Sequence, residues 1–336
     1  MPLSMPWIIG AFAGAVSAMV FVGSANAVGL VRVMMVLAVP LPGLLAGLGW
    51  GTSAALSFAA AGAALAGIFA GFGGIIVWLV TLGLPVAALT HATYLNRQVA
   101  PSAMGPGGGQ AGTEWYPPGN LLFLIALIGC SLGAGLMTII AQDMATFKGR
   151  MVTIVETFIK GLPPETAARF KPEQINTLAE YALALVPGLS AAAIVGAYVF
   201  NLWLAALITK SSGRLARTWP DLPSTQMPRG ASLLLAVALL VTMLGGTIAF
   251  FASAVAGGMM FAYLLVGLAI VHAITRGNTW RGAILGGVYV VLLFFNTYAA
   301  IGLVLLGLAE PFLPFKRKPP GQSPPPPPRP PPPPGT

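Results

Sequence analysis

Apolar residues dominate the chain in long unbroken runs, and charged residues occur only between them. No Asp, Glu, Lys or Arg stands before Arg32, between Arg32 and Arg97, between Glu114 and Asp143, between Glu180 and Lys210, between Arg229 and Arg276, or between Arg281 and Glu310. A helix needs about 20 apolar residues to cross a bilayer. The runs then hold roughly nine spans (eight to ten), at about 7–28, 30–49, 52–70, 72–91, 120–141, 182–208, 231–252, 255–275 and 282–308. The runs lack the two-residue alternation of barrel strands, so strand content should be near zero. The expected fold is an all-α polytopic transmembrane helical bundle. Pro40 and Pro42 should bend the second span, and Pro85 the fourth.

Composition strengthens this reading. Of 336 residues, 17 are basic and 8 acidic, 57% are hydrophobic, and 7% are charged; mean hydropathy is +0.85. A soluble domain carries about 25% charged residues. The single cysteine, Cys130, excludes a disulfide framework and a thiolate zinc site. The net charge of +9 does not form a nucleic-acid face, because the basic residues flank apolar runs.

Those flanking charges set an orientation. Lys210, Arg214, Arg217 and Arg229 outnumber Asp221 in one loop, Arg276 and Arg281 bracket the next, and Lys316, Arg317 and Lys318 follow the last span. Positive loops stay on the cytoplasmic side. One span at 282–308 would separate the last two, so either the tail is external despite its charges or 282–308 is a hairpin that bends near Asn296-Thr297 and returns, which the dense basic cluster beside the membrane favours. Ala25-Asn26-Ala27 resembles a leader cleavage site, but no basic residue precedes the apolar run, which favours a retained first span.

Three segments should lie outside the bilayer. Residues 143–180 carry equal numbers of acids and bases and read as two amphipathic helices. The first presents Val152, Val155, Phe158, Ile159 and Leu162 at helical spacing, and the second starts at Pro172 and feeds the sixth span. The pair packs on the bundle, or covers a cavity as a lid. Loop 98–119 is rich in Gly and Pro; its Gly107-Gly108-Gly109 lacks the remaining parts of a phosphate loop. The transmembrane domain covers 1–310, and a basic, proline-rich tail covers 311–336, with twelve prolines from Pro319 to Thr336.

Candidate chemistry is sparse. His91 and His272 are too few for a metal site, and no nucleophile elbow or paired intramembrane acids occur. No enzyme activity, cofactor or metal is expected. Uncharged polar side chains within spans can bond neighbouring helices or a ligand, so Asn201, Thr242, His272 and Asn296 are the candidate ligand-binding residues. Gly10/Gly14, Gly43/Gly47/Gly51, Gly67/Gly71, Gly129/Gly133 and Gly282/Gly286 form GxxxG spacings that let helices approach closely.

From the sixth span onward the chain resembles the YybS-like family of uncharacterised bacterial multi-pass membrane proteins. The resemblance is carried by Leu185-Val186-Pro187-Gly188 leading to Asn201-Leu202, by Met227-Pro228-Arg229, by the stretch from Tyr263 to His272, and by Leu306-Gly307-Leu308-Ala309-Glu310 with Phe315-Lys316-Arg317-Lys318. In the first half, Val39-Pro40-Leu41-Pro42 followed by Gly47 to Gly51 is similar. Glu310 and Lys316 stand where the family favours Asp and Arg. The resemblance implies a protein of the bacterial cytoplasmic membrane with no established activity. It also implies a distant likeness to the substrate-binding subunits of energy-coupling-factor vitamin transporters. Two functions are therefore expected. One is binding or transport of a neutral small molecule. The alternative is a non-catalytic membrane scaffold or biogenesis factor with a protein partner.

Overall fold

The computed structural model describes residues 4–99, 112–141, 143–218, 220 and 225–312. The proline-rich tail, Lys316 to Lys318, Gly107-Gly108-Gly109 and Asp221 lie outside the described residues. The described chain is almost wholly helical. Six helices are long and apolar enough to cross a membrane, and three shorter apolar helices accompany them.

Helix α1 (Met5–Ser24) packs along α4 (Thr52–Trp78). Glycine permits this. A Cβ on Gly10 would strike the Ala54 backbone, and one on Gly14 the Phe58 carbonyl. Between them run α2 (Gly29–Ala38) and α3 (Leu41–Trp50), joined by a bend at Val39-Pro40, as the prolines require. Ser17 donates to the freed Val39 carbonyl at 2.9 Å. Gly51, at φ +87°, ends α3 and starts α4, so the 49/52 boundary stands even though a GxxxG triple crosses it.

Within α4 the chain reverses. Ala70 and Gly71 leave helical geometry, and Gly71 adopts φ +62° with ψ −159°, a region open essentially to glycine alone. The two limbs then pack face to face: Gly67 meets Ile75, and the buried Trp78 lies flat on Gly62. The Trp78 indole N–H donates to the Ala59 carbonyl at 3.2 Å. The two limbs match the expected apolar runs 52–70 and 72–91. Pro85 follows a π-helical turn (Leu79–Gly83) and opens α5 (Leu84–Tyr94), so its effect is a local widening of the helix.

Strand content is close to zero, as expected, and is confined to one short pair. Strands β1 (Asn96–Val99) and β2 (Gly112–Trp115) form a short antiparallel pair, clipped by an exposed Arg97–Glu114 ion pair at 2.7 Å. Thr113, Trp115 and Val99 are β-formers, and the Gly/Pro content of the loop masked them.

Helix α6 (Pro118–Ala141) leads to α7 (Met144–Lys160), a short turn α8 (Pro164–Ala167), and the 40-residue α9 (Pro172–Ser211). At 1.5 Å per residue α9 is about 60 Å long, twice the hydrocarbon thickness. Its N-terminal part projects and carries α7. Phe147 and Met151 of α7 pack on Ala179 and on Phe250 of the later helix α11 (Gly246–Ile274). Of the expected apolar face, Ile159 is buried and Val152 and Val155 pack on this cluster, whereas Phe158 is exposed.

Helix α10 (Ala231–Thr242) turns into α11 through Gly245 and Gly246, at φ +71° and +66°. The expected break at 252–255 therefore moves some ten residues earlier. An unbroken apolar run gives no signal for it, whereas adjacent glycines allow two consecutive left-handed residues. Helices α12 (Arg281–Phe294) and α13 (Asn296–Ala309) break at Phe295. Gly287, Val288 and Val291 face Ala299, Leu303 and Leu306 across one small cleft, so the two helices lie side by side. Residues 281–309 form a hairpin, and α13 seats Gly307 on the Tyr263 carbonyl of α11.

Candidate functional site

A cavity of about 850 Å³ lies among α6, α9 and α11. Its walls are apolar. Leu121, Leu122 and Ile125 line it from α6; Val199, Phe200 and Trp203 from α9; and Phe261, Leu265 and Leu268 from α11. The helices splay here because bulky side chains replace the small residues that close the bundle lower down. There Gly129 and Gly133 of α6 meet Val195 and Ala191 of α9, and Gly257 of α11 meets Gly188 of α9. Phe200 and Trp203 are 56% and 43% exposed, so the cavity opens sideways, across α9, toward where lipid would lie.

One end of the cavity is polar and basic. Arg217, His272, Arg276, Arg281, Tyr289 and Thr93 line it, and no carboxylate does among the described residues. The loop after α9 delivers Arg217. Gly213, at φ +69°, turns the chain back over the helix end, and Arg214 stacks on Trp50 at 4.5 Å. Arg217 is buried, at 7% exposed. Its terminal nitrogens donate to the Tyr116 carbonyl at 2.7 Å and the Thr93 carbonyl at 3.5 Å. Its Nε has no hydrogen-bond partner. Burial pulls the guanidinium pKa down. On the opposite wall His272 Nε2 and the Tyr289 hydroxyl lie 3.0 Å apart, linking α11 to α12.

The four residues singled out from the sequence separate. His272 lines the cavity. Asn201 is buried between the wall residues Phe200 and Leu202 without lining the cavity, and donates to the carbonyls of Leu37 and Ala197, each at 2.7 Å, joining α9 to α2. Thr242 returns its hydroxyl to the Leu239 carbonyl at the end of α10. Asn296 is exposed at the α12–α13 break. Asn201 and Thr242 therefore serve helix contacts and a helix end, as amides and hydroxyls in hydrocarbon commonly do.

Sequence reasoning missed Arg217, Arg276 and Arg281 as site residues, because a basic residue beside a span is explained by orientation alone. The available signal was that two separate basic loops occupy the same side of the bundle, which brings their charges together. The lid reading of 143–180 gains no support at this cavity, since no residue of that segment lines it.

No protein-family model, curated protein or solved structure matches the chain.

Proposed function

We propose that this protein is a multi-pass membrane protein that binds, or binds and transports, a small molecule in the cavity among α6, α9 and α11. The observation that carries this reading is the cavity itself. It has the volume of a small-molecule site, apolar walls, and a few polar groups gathered at one end. A scaffold gains nothing from leaving such a space open, because helices in a membrane associate through close packing.

In this reading the membrane is the bacterial cytoplasmic membrane, which the YybS-like resemblance favours, and the chain makes nine insertions. Eight are crossings, with α4 counted twice for its reversal at Gly71. The ninth is the α12–α13 hairpin, which enters and leaves on one side. This arrangement puts every arginine of the cavity on the cytoplasmic side, in accord with the positive-inside tendency. The protein needs no catalytic group for this role.

Native mass spectrometry of the full chain, purified in a mild detergent, tests the reading. A bound small molecule should appear on the wild type and vanish in Ala269→Trp, which fills the cavity from α11. Retention of the same molecule by Ala269→Trp would overturn the assignment of the cavity.

A further inference from the structure

The cavity is chemically two-ended, and no carboxylate among the described residues lines its basic end. Arg217 is the decisive residue. A buried guanidinium is costly unless its charge is paired and its donors are satisfied. The two partners that Arg217 has, the Thr93 and Tyr116 carbonyls, are neutral, and its Nε has no acceptor. The ion pairs among the described residues, Arg97–Glu114, Lys148–Glu180 and Lys160–Glu156, do not involve it. Arg281 adds a second positive charge at the same end of the cavity, and His272 with Tyr289 adds hydrogen-bonding atoms. Away from this end the walls are aliphatic and aromatic, and the opening across Phe200 and Trp203 is apolar.

Resting on the ligand-binding reading above, we propose that the natural occupant is an amphiphile with an acidic head and a hydrocarbon body. Its head sits on Arg217 and Arg281, and its chain lies along Leu265, Phe261 and Val199. The acidic head supplies the countercharge that the neutral carbonyls do not, and arginine recognises carboxylates and phosphates through its planar array of donors. The chain supplies apolar surface to walls that otherwise face a void. Entry is lateral, past Phe200 and Trp203, so the head stays near the membrane surface while the body remains in hydrocarbon. This occupant replaces the neutral ligand expected from the scarcity of charge in the sequence.

The experiment measures binding to the full chain in nanodiscs of phosphatidylcholine, a lipid without net charge. Three probes are compared: oleoyl lysophosphatidate, oleoyl glycerol with the same chain but no charge, and glycerol 3-phosphate with the head alone. The acidic amphiphile should bind at least about tenfold tighter than oleoyl glycerol, a difference of about 1.4 kcal/mol, and glycerol 3-phosphate should bind weakly or not at all. Arg281→Gln, which leaves Arg217 and its carbonyl contacts in place, should cost the acidic probe roughly fivefold to tenfold and leave oleoyl glycerol unchanged. Arg217→Gln should cost it more. Its folding is checked by retention of oleoyl glycerol binding, and Arg281→Gln carries the test if it does not fold. Equal affinity for the charged and uncharged amphiphiles would overturn the acidic head while leaving the cavity as a ligand site. Glycerol 3-phosphate binding as tightly as the full amphiphile would overturn the hydrocarbon body. Failure of both amphiphiles to bind, or binding unaltered by Ala269→Trp, would overturn the ligand-binding reading itself.

Discussion

Many polar residues in this chain do one of two things: they tie off a backbone group, or they stand at the basic end of the cavity. Asp143 shows the first clearly. It caps α7, accepting the Thr146 N–H at 2.7 Å and the Thr146 hydroxyl at 2.9 Å. The Thr146 N–H, then its hydroxyl, stabilise the carboxylate and hold its pKa below the ordinary value. A carboxyl whose pKa falls on folding contributes stability above its unfolded-state pKa, and that contribution is lost as pH falls through the lowered native value. Amide exchange in the first turn of α7 should therefore accelerate on acidification below the usual carboxylate range. In Asp143→Asn, which keeps an oxygen acceptor, the turn should exchange at a rate independent of pH once the intrinsic rate is divided out. In Asp143→Ala it should be frayed throughout. An acid-sensitive turn in the Asn variant would show that another group governs it.

At the scale of elements, glycine decides how close helices lie, and only some glycines matter. Gly257 of α11 sits against the backbone of Gly188 of α9, and Gly267 against the Leu303 carbonyl, whereas Gly282 and Gly286 have open space around them. All but one of these occur in small-residue patterns that look alike in sequence. Gly257→Leu should force α9 and α11 apart and lower stability by roughly 1–3 kcal/mol, the usual cost of overpacking. Gly282→Ala should stay within about 0.5 kcal/mol of wild type, as surface changes do. Thermal unfolding in detergent micelles distinguishes the two, and equal losses would mean that the close approach of α9 and α11 is not a structural requirement. The same scale shows what hydropathy can and cannot convey. The reversal at Gly71, the bend at Pro40 and the continuity from Pro172 into the sixth span were legible, because a glycine, a proline or a charge boundary marks each. The α10–α11 turn at Gly245-Gly246 lies inside an uncharged apolar run that also holds Gly257-Gly258, and β1–β2 inside a Gly/Pro-rich loop, so pattern alone misplaced the first and hid the second. Of the site, only His272 was legible. Arg217 and Arg281 look like ordinary flanking charges until the fold places the loops that carry them over one cavity.

For the whole molecule, sidedness and function depend on each other. The Arg214–Trp50 stack, the Arg217 bonds to Thr93 and Tyr116, and the cavity residues Arg276 and Arg281 all gather at one end of the bundle. The α7 helix and its Lys148–Glu180 pair lie toward the N-terminal part of α9, away from the cavity-lining stretch of that helix. An odd number of crossings after Arg281 would send the basic tail to the α7 side, against the bias of its Lys316, Arg317 and Lys318. In the proposed arrangement the α12–α13 hairpin removes that conflict by returning the chain to the side it left. A cysteine-free background is available through Cys130→Ser, since Cys130 is the only thiol. In it, Asn278→Cys and Ser323→Cys should react with a membrane-impermeant maleimide only after the cells are opened, and Glu165→Cys should react in intact cells. Labelling of Asn278→Cys and Ser323→Cys from opposite sides would mean that 281–309 crosses the bilayer once. The hairpin would then be a feature of the isolated chain and the basic end of the cavity would lose its wall from α12.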